Sequence, residues 1–151
     1  MSLAARINED IKEAMRSRDT ARLSALRMFK SSLKYAALEK GAGGENELSD
    51  EDVIAVARKR IKQCRDAAEG FDKGGRSEQA DAERAEIALL EGYLPAAMSG
   101  EELAVLVKQT IAEIGATGKA QTGAVMKAVM QKAAGRTDGR SVNAEVQKQL
   151  G

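Results

Sequence analysis

The sequence predicts an all-α chain in two parts, an N-terminal four-helix domain over residues 1–95 and a small three-helix tail domain over residues 96–151. Three observations carry this reading. Apolar residues recur at three- and four-residue steps along most of the chain, the spacing of one helix face. No stretch sustains the period-two alternation of a half-buried strand. The only proline, Pro95, stands where acidic density falls and the local charge changes sign, and the residue before a proline disfavours the α region. A length of 151 residues suits one ordinary domain or two small ones.

The first helix follows from Leu3, Ile7, Ile11 and Met15, one every fourth residue, with Ser2 as its N-cap. Ser17 or Asp19 starts the second. Its apolar face is Leu23, Leu26, Phe29, Leu33 and Ala37, and it stops before Gly41-Ala42-Gly43-Gly44, where glycine permits a positive φ. Ser49-Asp50-Glu51-Asp52 opens the third, a hydroxyl cap followed by carboxylates at the positive end of the helix dipole. Ile54, Ala57, Ile61, Cys64, Ala68 and Phe71 form its inner stripe, and Gly74-Gly75 ends it. A fourth helix runs from about Ser77 to Tyr93, with Ala80, Ile87, Leu90 and Leu94 inward.

In the tail, Ser99-Gly100-Glu101-Glu102 reads as a capping box for a helix that buries Leu103, Leu106, Val107, Ile111 and Ile114 and ends at Gly115. The next helix carries Val125, Met126, Val129, Met130 and Ala133 and ends at Gly135. Asp138 caps the last, with Val142, Val146 and Leu150 inward.

Composition removes whole classes of chemistry. Without histidine there is no Ser-His or Cys-His nucleophile pair and no HExxH zinc site. One cysteine excludes an internal disulfide and any multi-cysteine metal site. Two Tyr, two Phe and no Trp leave few platforms for stacking bases. No run of about 18 apolar residues suggests a membrane span, and acidic Glu9, Asp10 and Glu13 argue against a targeting peptide. The expectation is a cytoplasmic protein that needs no metal or cofactor.

The net charge of +1 conceals alternating blocks. Residues 1–40 hold nine basic and five acidic side chains, residues 41–57 five acidic and no basic, and residues 96–151 seven basic and five acidic. Such blocks commonly pair between packed helices. Within the tail, Lys127, Lys132, Arg136 and Arg140 span the sixth helix and a glycine-flanked turn, an arrangement suited to phosphate backbones.

Other motifs are weak. Gly115-Ala116-Thr117-Gly118-Lys119-Ala120 is too short for a Walker A loop and has no preceding strand. It retains a lesser phosphate-binding reading, free N–H groups at a helix start with Lys119 beside them. Ser31-Ser32-Leu33-Lys34 matches S-x-x-K without its companion motifs. Cys64 lies in an apolar stripe and reads as a buried structural thiol. Glu83, Glu86 and Glu91 read as a solvated helix face, not as acid–base catalysts.

Several short segments together resemble the YqeY-like proteins of the GatB/YqeY family. Arg22-Leu23-Ser24-Ala25-Leu26-Arg27 is similar to its arginine-led second helix. Gly75-Arg76, Glu83, Glu86 and Tyr93-Leu94-Pro95 resemble its hinge signature. Gly123-Ala124-Val125-Met126 and Gly135-Arg136-Thr137-Asp138-Gly139 resemble its tail motifs, which are similar to the tail of the aspartyl/glutamyl-tRNA amidotransferase B subunit.

The resemblance implies an accessory module that associates with tRNA or with a tRNA-handling enzyme, an amidotransferase or an aminoacyl-tRNA synthetase. Lys119, Lys127, Lys132, Arg136 and Arg140 would be its RNA-binding residues and no residue catalytic. Two alternatives stand beside this reading, the first of them also implied by the resemblance. One is a part, with partner subunits, in carbon–nitrogen ligase activity with glutamine as amido-N-donor; the other is a protein-binding helical adaptor. Two departures stand out: Gln121-Thr122 replaces the family's Asp-Met before Gly123, removing the best N-cap of that helix, and Ala124 replaces a lysine.

Overall fold

The computed structural model describes residues 1–151 in full and is entirely helical, with seven α-helices and no strand. They are α1 (Leu3–Arg16), α2 (Thr20–Lys40), α3 (Asp50–Lys73), α4 (Ser77–Glu91), α5 (Gly100–Ile114), α6 (Thr122–Ala133) and α7 (Gly139–Leu150), with 3-10 turns at Glu45–Glu47 and Lys119–Gln121. The chain forms two compact units, Met1–Leu94 and Pro95–Gly151.

The helix starts follow local chemistry. Ser2, Asp19, Ser49, Ser99 and Asp138 each accept a hydrogen bond from a first-turn backbone N–H of the helix they precede. At the ends of α2 and α5, Gly41 and Gly115 take the left-handed conformation that glycine adopts without steric cost.

The core of the first unit joins Ile7 and Ala14 of α1, Leu26, Phe29, Leu33 and Ala37 of α2, Val53, Ala57 and Ile61 of α3, and Leu90 and Tyr93 at the end of α4. Phe29 and Tyr93 meet edge to face, with centroids 5.9 Å apart and planes at 69°. The second unit closes over Leu103 and Val107 of α5, Val125 and Val129 of α6, and Val142 and Val146 of α7.

Several expectations about facing residues are corrected. On α1, Ala14 is buried and Met15 is 53% exposed, because a strict four-residue step drifts around a 3.6-residue turn. On α3, Val53 rather than Ile54 lies innermost. Helix α4 ends at Glu91, and Tyr93 follows in a turn yet is buried. Helix α6 ends one residue early. Ala134 itself takes a left-handed φ of 48°, followed by Gly135 at 82°.

Candidate functional site

The five tail cations expected to contact RNA divide into two groups, while Lys108 of α5 and Lys148 of α7 are also exposed. Lys132, on α6, ion-pairs with Glu113 of α5 and donates to the hydroxyl of buried Thr110 at 3.4 Å. Arg136, in the turn after α6, donates from Nε to the Ala96 carbonyl at 3.0 Å and from Nη2 to Glu102 at 2.7 Å. Its own carbonyl accepts from the Met98 N–H at 2.8 Å. Arg136 therefore ties the segment before α5 to the turn between α6 and α7. Lys119, Lys127 and Arg140 are exposed and make no ion pair within the unit. Of the five expected RNA contacts, these three retain guanidinium or ammonium groups available to a phosphate.

The Gly115–Gly118 turn does not offer the free donors expected of it. Gln121 Oε1 accepts from the backbone N–H of Thr117 at 2.7 Å and of Gly118 at 3.3 Å. Gln121 thus stabilises the turn before α6, and α6 itself has no side-chain N-cap. Thr122 adds a bond from its hydroxyl to the Lys119 carbonyl at 2.7 Å.

Two polar clusters lie within the first unit. In one, the Tyr93 hydroxyl donates to Asp10 at 2.5 Å, with Arg6 stacked 4.7 Å from the ring centroid. Arg6 also donates to the Gly92 carbonyl at 3.2 Å, and Arg22 approaches Asp10 at 4.0 Å. The motif residues Arg22 and Tyr93, far apart in sequence, thus meet through Asp10 of α1, whose part in this contact no local signal marks. Burial and the adjoining Asp10 carboxylate hold the Tyr93 phenol well above its ordinary range, while Arg6 and Arg22 oppose the shift.

The other cluster overturns the expectation of a solvated carboxylate face on α4. Glu86 is buried against α3, where Arg60 grips both of its oxygens at 2.9 and 3.2 Å. Cys64, one turn along α3, is 2% exposed beside Glu83 and Glu86, and the three potential ligand atoms lie within 4.8 Å of one another. They fit a cation poorly. Arg60 already neutralises Glu86, and burial, reinforced by Glu83 and Glu86, pushes the thiol up from 9.0 to about 12.

Protonated Cys64 is therefore a packed thiol and not a nucleophile. At pH 8, Ellman's reagent should leave the folded protein unlabelled and titrate one thiol per chain after denaturation; prompt native labelling would contradict this burial. Because folding raises this pKa, the stability it contributes is complete below pH 9 and declines as pH climbs towards 12.

Comparison with known proteins decides the family. The sequence matches the family described as Yqey-like protein over residues 4–150, nearly end to end. The chain belongs to the YqeY-like family. One relative is an uncharacterised protein of Schizosaccharomyces pombe, C22F3.15, 32% identical over 94 residues, covering 62% of this chain and 73% of the relative. Another is altered inheritance of mitochondria protein 41, mitochondrial, of Pyrenophora tritici-repentis, 27% identical over 154 aligned positions, covering 97% of this chain and 80% of that one. Several motif residues of this YqeY-like chain have structural roles. Gly75 and Gly135 supply positive φ at helix ends, and Asp138 caps α7. Arg76 precedes α4 without capping it, while Leu94 and Pro95 lead out of the first unit. Gly139 and Gly123 sit in the first turns of α7 and α6 with open space where a Cβ would stand.

Proposed function

We propose that this YqeY-like chain is a non-catalytic, tRNA-associated module, and that its second unit, read as a domain similar to the amidotransferase B-subunit tail, makes the contact. The observation that carries the reading is the sorting of the tail's cations. Lys132 and Arg136 are consumed by Glu113, Glu102 and the Ala96 carbonyl, whereas Lys119, Lys127 and Arg140 remain exposed without internal partners. Together with exposed Lys108 and Lys148 they make a modest electrostatic footprint, so binding is weak, shape-directed and salt-sensitive. We place the module in a reducing compartment, the cytoplasm or, following the name of its Pyrenophora relative, the mitochondrion.

Fluorescence polarisation with labelled tRNA across a salt series tests this. The Lys127→Ala plus Arg140→Ala variant should weaken binding and make the slope of log K against log salt shallower by about 2. Arg136→Ala should instead cost about 1 kcal/mol of tail stability, because it removes a backbone tie and a half-exposed ion pair. Absence of binding at about 50 mM salt, or indifference to the double variant, would sink the proposal. Glutamine turnover by the purified chain would overturn its non-catalytic part in favour of carbon–nitrogen ligase chemistry.

A further inference from the structure

Helix α2 turns Leu26, Phe29, Leu33 and Ala37 into the core of the first unit. Its opposite face carries a second regular stripe, Ser24, Met28, Ser31, Tyr35 and Leu38, at alternating four- and three-residue steps over two heptads. Met28 is 50% exposed, Tyr35 71% and Leu38 73%. An outward face needs no such periodicity for folding, and three large exposed apolar residues set at heptad positions alongside two serines call for an explanation that singly scattered ones would not.

We infer that this face is a docking seam for an acidic amphipathic helix of another protein. Two features define the occupant. The first is shape. The small Ser24 and Ser31 lie beside larger residues, and a depression of about 400 Å³ runs along Thr20, Leu23, Ser24, Arg27, Met28 and Ser31. A seam of small residues between large ones receives bulky apolar knobs spaced seven residues apart on a partner helix.

The second is charge. Three of the five cations of α2 have carboxylates within the unit: Arg22 approaches Asp10, Lys30 approaches Glu45 and Lys40 pairs with Asp52. Arg27 and Lys34, seven residues apart along one edge of the stripe, are exposed and have none. In a heptad they hold the flanking position that selects a partner by opposite charge. A second copy fits less well. Antiparallel pairing of two α2 helices would bring Arg27 and Lys34 against their equivalents, and parallel pairing would set serine against serine. A nucleic acid would use the two cations but not the aliphatic Met28 and Leu38. The inference is independent of tRNA binding by the tail.

The test uses the full chain and two labelled synthetic helices about 20 residues long. Both carry leucine at alternating three- and four-residue steps; one is flanked by glutamate and the other by lysine. Fluorescence polarisation should show the glutamate-flanked helix binding at least about tenfold more tightly. Tyr35→Glu plus Leu38→Glu should abolish that binding with the circular dichroism unchanged, since both side chains are exposed. Arg27→Glu plus Lys34→Glu should invert the preference between the two helices.

Equal affinity for both helices, no binding at about 100 μM, or binding indifferent to the Tyr35/Leu38 variant would overturn the inference. So would sedimentation showing a dimer that Tyr35→Glu dissociates, which would assign the seam to a second copy. Loss of tRNA binding in the Arg27/Lys34 variant with no helix binding by the unaltered chain would assign it to RNA.

Discussion

Truncating Phe29 to alanine should lower the unfolding free energy of the first unit by about 3–5 kcal/mol, the largest single effect expected in the chain. Phe29 is fully buried at the centre of α2, on the side facing α1, α3 and the end of α4. It contributes a large apolar area and an edge-to-face contact with Tyr93. Its neighbours are held by helix backbone and cannot collapse fully into the vacated space, so a cavity penalty adds to the lost transfer energy. The aromatic contact also links α2 to the Tyr93 hydroxyl, Asp10 and Arg6. Urea denaturation should therefore show Phe29→Ala and Tyr93→Phe to be non-additive, with Tyr93→Phe alone costing about 1 kcal/mol for its lost hydrogen bond. A loss below about 1 kcal/mol for Phe29→Ala would mean that this core is not packed around it.

Replacing Glu86 with alanine should cost about 3 kcal/mol. The stabilising value of the pair is not the reason, since desolvation consumes much of the attraction between buried charges. The cost arises because the variant leaves the Arg60 guanidinium between α3 and α4, four-fifths buried, without the carboxylate that now holds it firmly protonated. Arg60→Leu plus Glu86→Leu removes both charges and should recover most of the loss. A double-mutant cycle on denaturation midpoints checks this: near-additive single and double variants would show that the pair is solvated and that burial of Glu86 is energetically incidental.

The two variants mark different limits of sequence reading. Phe29 was legible as a core residue because α2 buries a regular stripe and the helix period alone locates it. Glu86 was not. A charged residue on a helix is ordinarily solvated, and its burial depends on an arginine 26 positions earlier on the antiparallel neighbour. The meeting of Arg22 and Tyr93 at Asp10 was hidden for the same reason, as were the assignments of Lys132 to Glu113 and Arg136 to Glu102. In a run of basic residues, nothing local distinguishes a cation that faces water from one that a distant carboxylate claims.

The sequence by itself determined that the chain is helical, where most helices begin and end, and which chemistries it lacks. Those properties depend on caps, glycines, apolar period and residue inventory, all of which act within a few positions of each residue. Only the tertiary structure decided which charges are spent inside the protein and which remain available to a partner. It paired Glu86 with Arg60, enclosed Cys64 as an inert thiol and left Lys119, Lys127 and Arg140 in the tail, and Arg27 and Lys34 on α2, facing solvent. The physical reason is distance: a side chain's partner is set by which helices pack together, and packing joins residues whose separation in the chain carries no local signal.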